Sequence, residues 1–415
     1  MRILLVNAFH YLRGGVERTV FDEARWLAAA GHEVSHFAIR HSENRASADA
    51  EWFAPAVDYG EDAPTAPSFA RVWDAIWSQA AATAIARAIE ARRPEIAHVH
   101  APSRYLTPSV IDALARAGVP QVMTVHDFKP WCTNRLMFAH GAPCERCRGG
   151  RHWHALATAC VQDSRARSAV ATLEAYVHDV HHVYAPIRRW IAPSRFAAAK
   201  AIAWGASEAT MRVLSHGVEA APAADVVAVP AANAGPARGR YVLCAGRLAQ
   251  EKGVTLLAPL AARLPGVRFV VAGDGPLAAE LAAAARTRPN LELLGRLDGA
   301  AFAALRAHAA AVIVPSLFYE TWGYAVAEAL LDARPVVASN IGALPELVEH
   351  EVTGLLVPPG DVEALAAAVT RALSDPNAAA WAAAGAARVR RDADPAKHLD
   401  GLLAIYREAI DATPR

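Results

Sequence analysis

Residues 311–331 read AVIVPSLFYETWGYAVAEALL. Ala311 to Val314 is a short apolar, largely β-branched run of the kind that forms a buried strand, and Pro315 ends it. From Gly323 to Leu331 apolar side chains recur at helical spacing, so a helix starts near Gly323. The loop between them carries Ser316, Glu320 and Thr321. Strand, loop and helix in this order make the repeating unit of a doubly wound parallel sheet, in which ligands bind beyond the carboxyl ends of the strands.

The same alternation extends outward on both sides. Upstream, the pattern predicts strands over Tyr241–Ala245, Phe269–Ala272 and Leu291–Leu293 and helices over Val254–Leu264, Leu277–Arg286 and Ala300–Ala309. Downstream, strands are predicted at Pro335–Ala338 and Gly354–Val357. The amino-terminal half has its own set: strand Met1–Asn7, helix Val16–Ala30 with Gly31 just past its end, and strand Glu33–Ile39. A long Ala-rich helix over Arg71–Arg92, closed by Pro94, precedes short strands Ile96–His100 and Gln121–Val125. Between Ala220 and Gly239 the chain is mostly Ala, Pro, Val, Asn and Gly with one acid, Asp225, one base, Arg238, and no period, which reads as a linker.

The expected organisation is therefore two doubly wound, Rossmann-like α/β domains facing a central cleft. The first spans 1–218 and includes an insert at about 128–160. A linker at 219–239 and a second domain at 240–395 follow. A helix at 396–415 is expected to pack back toward the first domain. The 415-residue length suits two domains of this size.

Composition narrows the function. Forty-two Lys and Arg against forty-one Asp and Glu exclude the strong basic excess of a nucleic-acid binder. The first half is slightly basic, which would suit an anionic acceptor or membrane surface. No run is long and apolar enough for a membrane span, and Ile3 to Ala8 lacks the features of a signal peptide, so a cytoplasmic protein is expected. The stretch Ser168–Ile202 mixes cations and aromatics, among them His181, His182, Arg188, Arg189, Trp190 and Lys200. It could rest on the inner face of a membrane, although interior helix packing explains it more simply.

Strand Tyr241–Ala245 runs into Gly246-Arg247 and, five residues later, Lys252-Gly253. Two cations in a strand-to-helix loop are suited to clamping a diphosphate, Arg as a fork and Lys as a point charge. Gly273-Asp274-Gly275-Pro276 is a tight turn compatible with close ligand approach. At the helix start near Gly323, the backbone N–H groups of Thr321, Trp322 and Gly323 favour an anion. Glu328 sits in the first turns of that helix, while Glu320 stays in the loop.

These residues carry a resemblance. Glu320-x7-Glu328, preceded by Pro315-Ser316 and followed by Ala329-Leu330 and Ala343-Leu344-Pro345-Glu346, resembles the retaining glycosyltransferases of family 4. So do Gly246-Arg247 with Glu251-Lys252-Gly253, and Thr353-Gly354-Leu355-Leu356-Val357. In the first half the matching motifs are Gly14-Gly15-Val16-Glu17-Arg18, Val125-His126-Asp127, Pro193-Ser194-Arg195-Phe196 and His216-Gly217-Val218. The resemblance covers nearly the whole chain; Trp322 stands where the family more often has Phe, which is expected to keep an aromatic wall there, and His216 where Asn is frequent.

The resemblance implies a GT-B fold, acceptor binding in the first domain and nucleotide-sugar binding in the second. It implies that Arg247 and Lys252 hold the donor diphosphate, Glu328 the ribose and Glu320 a sugar hydroxyl near the reacting carbon. Gly14 and Gly15 would offer amides to the distal phosphate, His126 would approach the donor sugar, and Gly273 and Arg296 would lie near the nucleotide. Fixed cations and helix-start amides stabilise a leaving diphosphate without a catalytic metal, and in front-face attack that phosphate accepts the acceptor's proton. Glu320 is then a positioning group.

Cys132, Cys144, Cys147 and Cys160 form a Cys-x11-Cys-x2-Cys-x12-Cys pattern. In a reducing compartment such clustered thiols suit a structural Zn²⁺; an iron–sulfur cluster needs the same ligands, and free thiols or disulfides are the plain alternatives. Since the insert begins directly after His126-Asp127, it is expected to shape acceptor specificity. His140, His152 and His154 are further possible ligands. Cys244, within a strand, reads as a buried apolar residue.

The expected function is a retaining, metal-independent glycosyltransferase. It would move a sugar from a UDP- or GDP-linked donor to a saccharide or lipid-linked acceptor in surface-polysaccharide or lipopolysaccharide assembly. Two alternatives keep the fold: a nucleotide-sugar epimerase, and a silent nucleotide-sugar binding module.

Overall fold

The computed structural model describes residues 1–56, 69–220, 240–297 and 299–413. The chain divides into two compact units: Met1–Met137 with Glu145–His216 and Ala396–Arg415, and Phe138–Cys144 with Gly217–Pro395. Nearly all of the expected linker lies outside the described residues.

Among the described residues the strands are β1 Arg2–Val6, β2 Glu33–Phe37, β3 Ile96–Val99, β4 Gln121–Thr124, β5 Phe138–Ala139, β6 Ala142–Pro143, β7 Arg189–Ala192, β8 Met211–Val213, β9 Tyr241–Ala245, β10 Arg268–Ala272, β11 Leu291–Gly295, β12 Ala311–Val314, β13 Val336–Ser339 and β14 Leu355–Val357. β5 and β6 form a small antiparallel hairpin. The first unit holds a parallel sheet of order β2-β1-β3-β4-β7-β8, and the second a parallel sheet of order β11-β10-β9-β12-β13-β14. In the first sheet the order reverses between β1 and β3, in the second between β9 and β12. Those are the points where a doubly wound sheet opens a crevice for ligands.

Alternation of side chains explains the second unit's layers. Val242, Cys244, Phe269, Val271 and Ile313 point to one face and pack with Leu257, Leu260, Leu365 and Val369. Leu243, Val270, Ala272, Val312 and Val314 point to the other and pack with Leu305, Val326, Leu330 and Val389. Successive residues of a strand face opposite ways, so a strand covered on both faces reads as one continuous apolar run. Cys244 lies in this core as expected, and burial pushes its thiol up to about 12. In the first unit Ile3, Leu5, Ile96, Val122 and Ile191 pack against Leu402, Leu403 and Tyr406 of the terminal helix Pro395–Asp411.

Two expectations need correction. The single helix over Arg71–Arg92 is two helices, Phe69–Ile76 and Gln79–Arg92. Ser78 breaks it: its hydroxyl caps the second helix by accepting from the Ala81 N–H at 3.2 Å, its own N–H donates to Thr107 Oγ1, and its carbonyl accepts from Ser109 Oγ. Strand β7 falls in a region read as helical, and β8, outside every predicted element, carries the first sheet to its far edge. Within the basic–aromatic stretch, packing and ion pairs engage three of the named residues. Trp190 is buried in the sheet, Arg189 pairs with Glu408 at 2.9 Å, and Lys200 pairs with Glu145 at 2.8 Å. Among the described residues, no helix is long and apolar enough to cross a membrane.

Candidate active site

In the second unit the β9 and β12 ends bring together the loop 246–253 and the loop 315–323. The first loop is sewn to its neighbour: Gly246 N–H donates to the Ala272 carbonyl, Leu248 N–H to that of Asp274, and Leu277 N–H to that of Leu248. Gly273 backs directly onto it. Its φ is +148°, and a Cβ there would sit 1.9 Å from the Gly246 carbonyl oxygen, so no other residue permits this approach. Gly253 plays the same part toward the second loop, with φ at +72° and a would-be Cβ 1.9 Å from the Pro315 carbonyl oxygen. Leu317 N–H donates to the Glu251 carbonyl at 2.8 Å, which completes the seam.

This seam places Lys252 on Glu320. The ammonium donates to both carboxylate oxygens, at 2.8 and 3.0 Å, and Ser316 Oγ donates to Oε1 at 2.7 Å. Lys252 also lies 4.8 Å from the centroid of the Phe318 ring. Its side chain keeps about a third of its surface in solvent, whereas that of Glu320 is 12 % exposed. Arg247, on the same loop, is exposed and stands 3.9 Å from Glu251, too far for a firm contact. A fixed carboxylate with a partly exposed ammonium beside it is suited to meet an incoming anion with Lys252 while Ser316 holds Glu320 in place.

The helix Tyr324–Leu331 begins behind Gly323. Trp322 corrects an expectation. It does not present an aromatic wall, because its side chain is buried in the core of this unit with Tyr324 packed edge-on against it. Glu328 is buried too, with one carboxylate oxygen 3.0 Å from the guanidinium of Arg306, whose Nε donates to Asp332 at 2.6 Å. A bidentate grip on two hydroxyls must therefore share Glu328 with Arg306, a residue that sequence reading passed over as one more cation in an Ala-rich helix. Thr321 precedes the helix, and Arg296 is exposed just past β11.

In the first unit Gly14 and Gly15 stand at the start of the helix Gly15–Ala29. The Gly14 N–H donates to Glu17 Oε2 at 3.1 Å, so this amide, expected to face a phosphate, is taken by the helix's own carboxylate. A side chain at Gly14 would meet nothing within 4 Å, and its φ of −172° is ordinary extended backbone. Neither packing nor strain within the structure requires glycine there.

His126 lies just past β4, in a column of imidazoles. His98 and His100 have centroids 3.9 Å apart, His100 and His126 5.3 Å, His126 and His216 5.5 Å. His100 Nδ1 lies 3.0 Å from His126 Nε2. Beneath the column sits the buried carboxylate of Glu23, 3.2 Å from His98, 3.5 Å from His100 and 3.0 Å from His398. Burial holds His100, His126 and His216 well below the usual imidazole range. Burial alone would raise Glu23, but the charges and hydrogen bonds of His98 and His398 hold it well below its ordinary value. His398 goes the other way: burial opposes its charge, yet the bond to Glu23 raises it. Of this group only His126 and His216 were singled out from sequence. His98-x-His100 on one face of a predicted strand was a signal that could have been read.

All five cysteines are reduced. In the first unit Cys132 and Cys147 are buried; Cys132 Sγ donates to Asn134 Oδ1 at 3.1 Å, and Thr133 Oγ1 lies 3.9 Å from Cys147 Sγ. His152 reaches Thr133 on one side and Asp179 on the other, at 3.3 and 2.8 Å. Cys144 belongs to the segment Phe138–Cys144 of the second unit. Among the described residues, the group of three metal-type ligand atoms within 4.8 Å of one another is Glu23, His98 and His100, and the cysteines form no such group.

Comparison with known proteins agrees with the topology. Residues 13–221 match the model of Glycosyltransferase Family 4, and residues 239–375 that of Glycosyl transferases group 1. The chain is 30% identical over 424 residues to a glycogen synthase of Mycobacterium tuberculosis, covering 95% of this chain and 91% of that one. It is 37% identical over 186 residues to a D-inositol 3-phosphate glycosyltransferase of Mycobacterium avium, 40% of this chain and 41% of the relative. Among solved structures, sucrose-phosphate synthase from Thermosynechococcus elongatus superposes with a TM-score of 0.71 at 21% identity over 99% of both chains. Anabaena HepE in complex with UDP and glucose superposes at 0.68 and 19% identity, over 97% of this chain and 98% of that one. The fold is thus the GT-B pair of Rossmann-like domains, and the chain belongs to glycosyltransferase family 4.

Proposed function

We propose that the protein transfers a sugar, with retention of configuration, from a nucleoside-diphosphate donor to a saccharide or lipid-linked saccharide acceptor, without a catalytic metal. Surface-polysaccharide or lipopolysaccharide assembly is the process such a transfer would serve. The observation that carries this reading is the Lys252–Glu320–Ser316 constellation at the β9/β12 switch point, held by a glycine seam that brings two loops into backbone contact.

In this reading Lys252 and Arg247 meet the diphosphate, and amides at Gly273 and at Thr321 to Gly323 line its approach. Glu328, steadied by Arg306, binds the ribose, and Arg296 lies toward the base. Glu320, released from Lys252 as the phosphate takes over the ammonium, orients a sugar hydroxyl. Charge building on the leaving diphosphate is stabilised by groups already in place, which is the main source of rate in such a site. The open space around Gly14 supports close approach of a ligand to the first unit's helix start, where Gly14 and Gly15 would offer amides. His126 faces the donor sugar. Structural neighbours were solved with UDP and glucose, with UDP-glucose and with ADP and acarbose, so UDP- and ADP-linked glucose head the list of donors to test.

For the insert, the proposal is a structural Zn²⁺ held by Cys132, Cys144, Cys147 and Cys160 that shapes acceptor choice. Cys132, Cys147 and Cys160 all lie in the first unit and form no disulfide, which supports it, and metal loading would have to draw the four thiols together. Removal of zinc that left folding and acceptor turnover unchanged would refute it.

The functional test is release of free nucleoside diphosphate with and without acceptor, followed by NMR of the product's anomeric proton. Acceptor-dependent release with an α-linked product from an α-linked donor is expected. Turnover of the donor without any acceptor points to an epimerase, and an inverted product overturns the front-face mechanism.

A further inference from the structure

Hydrogen-bond chemistry in the imidazole column determines which nitrogen carries each proton. His398 Nδ1 lies 2.7 Å from the carbonyl oxygen of Ser215 and its Nε2 3.0 Å from Glu23 Oε1. Both partners only accept, so both ring nitrogens of His398 donate and the ring is an imidazolium. Glu23 and His398 thus form a buried pair of zero net charge.

The other carboxylate oxygen, Glu23 Oε2, lies 3.2 Å from His98 Nδ1 and, with its remaining lone pair, faces His100 Nε2 at 3.5 Å, and His100 Nε2 has no closer polar partner in the structure. Two lone pairs facing each other in a dry interior would repel, so His100 Nε2 carries a proton directed at the carboxylate. Neutral His100 then has its lone pair on Nδ1, which lies 3.0 Å from His126 Nε2. That contact closes only if His126 Nε2 donates. A divalent cation on Glu23, His98 and His100 is disfavoured by the same count, because His398 already neutralises Glu23 and an ion would leave net positive charge in the core.

We propose that Glu23 acts through His100 as a positioning residue for His126, holding its ring neutral with the proton on Nε2 and Nδ1 as its accepting atom. This rests on the reading of His126 as the donor-sugar contact. On that reading, His126 accepts a hydrogen bond from a sugar hydroxyl and gives no proton to the leaving diphosphate. The remaining ties keep the relay in register: His98 Nε2 lies 2.7 Å from Thr124 Oγ1 and His98 Nδ1 2.8 Å from the Tyr406 hydroxyl. The relay joins helix Gly15–Ala29, strand β3, the end of β4 and the terminal helix, so residues distant in sequence set the protonation of one loop histidine.

The experiment is ¹⁵N NMR of the full chain with labelled histidine side chains at pH 7.5, His126 and His100 being assigned from H126Q and H100Q. Expected are neutral Nε2–H signals for both rings in the wild type. An Nδ1–H tautomer or an imidazolium at His126 overturns the proposal. E23Q, whose amide can face His100 either way, is expected to shift the His126 signals toward a tautomer mixture and to lower kcat about tenfold or more with donor KM unchanged, since a wrongly protonated histidine binds but does not act. His126 signals unmoved by E23Q overturn it as well. If E23Q does not fold, the wild-type tautomers still decide. The tautomer is read without substrate, so a protein with the expected signals but no sugar transfer would keep this inference and lose the functional one.

Discussion

The two switch points use the same sheet architecture in opposite ways. Between β1 and β3 the crevice is floored by a carboxylate and imidazoles whose charges cancel internally and whose rings are packed face to face. Between β9 and β12 it is edged by an ammonium and a carboxylate that meet at the surface and can exchange partners. The first arrangement stores orientation, since breaking any contact strands a charge in a dry interior. The second stores adaptability, because water and an incoming anion can replace each partner. On the proposed reading the chain divides the labour: one unit presents a neutral histidine, and the other receives charge.

Stability measurements should separate the two most strongly. Glu23→Ala strips the counter-charge from buried His398 and is expected to lower unfolding stability by about 3–5 kcal/mol in urea denaturation. Glu320→Ala, which releases a lysine that solvent reaches, should cost no more than about 1 kcal/mol. Similar losses for both would break the comparison.

Acid should act mainly on the first unit. Burial, with a further push from His10, lowers His36 to about 4 from an ordinary 6.5, and burial likewise lowers His100, His126 and His216. These rings stay neutral in the folded chain while the unfolded chain takes up protons below pH 6.5. Stability therefore falls as pH drops from about 6.5 toward 4, with His36 alone contributing a loss of about 3 kcal/mol, and its share levels off below that. Thermal melts across this range test it; a melting temperature flat between pH 6.5 and 4.5 would contradict it.

Binding should single out the second unit. Lys252→Ala is expected to weaken nucleoside-diphosphate binding by about 1.5–3 kcal/mol, measured by titration calorimetry, while leaving stability nearly unchanged. The smallest effect is expected of Ser316→Ala, which frees Glu320 from one neutral hydrogen bond and should weaken donor binding by about 0.5–1.5 kcal/mol. Equal losses for the two variants would mean that the ammonium is not the main anion contact.

Much of this was legible in the chain itself. The strands of the second unit are continuous apolar runs bounded by Gly and Pro, so their order and the loops at their ends could be read directly, and Lys252 and Glu320 fall in those loops. Other features depend on contacts distant in sequence. β7 and β8 are three or four residues long and mixed with Arg and Trp, so they lack the period that marks a strand. Ser78 interrupts a helix because Thr107 and Ser109 bind its backbone, which no local pattern reveals. Glu23 looks like any helix carboxylate until His398 arrives from the far end of the chain, and Arg306 gains meaning only against Glu328 and Asp332. Trp322 was misplaced because an aromatic in a binding loop resembles a wall whether it points out or in.

The most direct test is the change in Tm of the wild type and of Lys252→Ala with UDP, GDP, ADP and their sugar conjugates. A ligand at 100 times its Kd adds about 2.7 kcal/mol of stability. The account predicts a rise selective for one nucleotide in the wild type that Lys252→Ala largely abolishes. No rise with any nucleotide, or a rise that survives the loss of Lys252, would contradict the placement of the donor diphosphate at the β9/β12 loops.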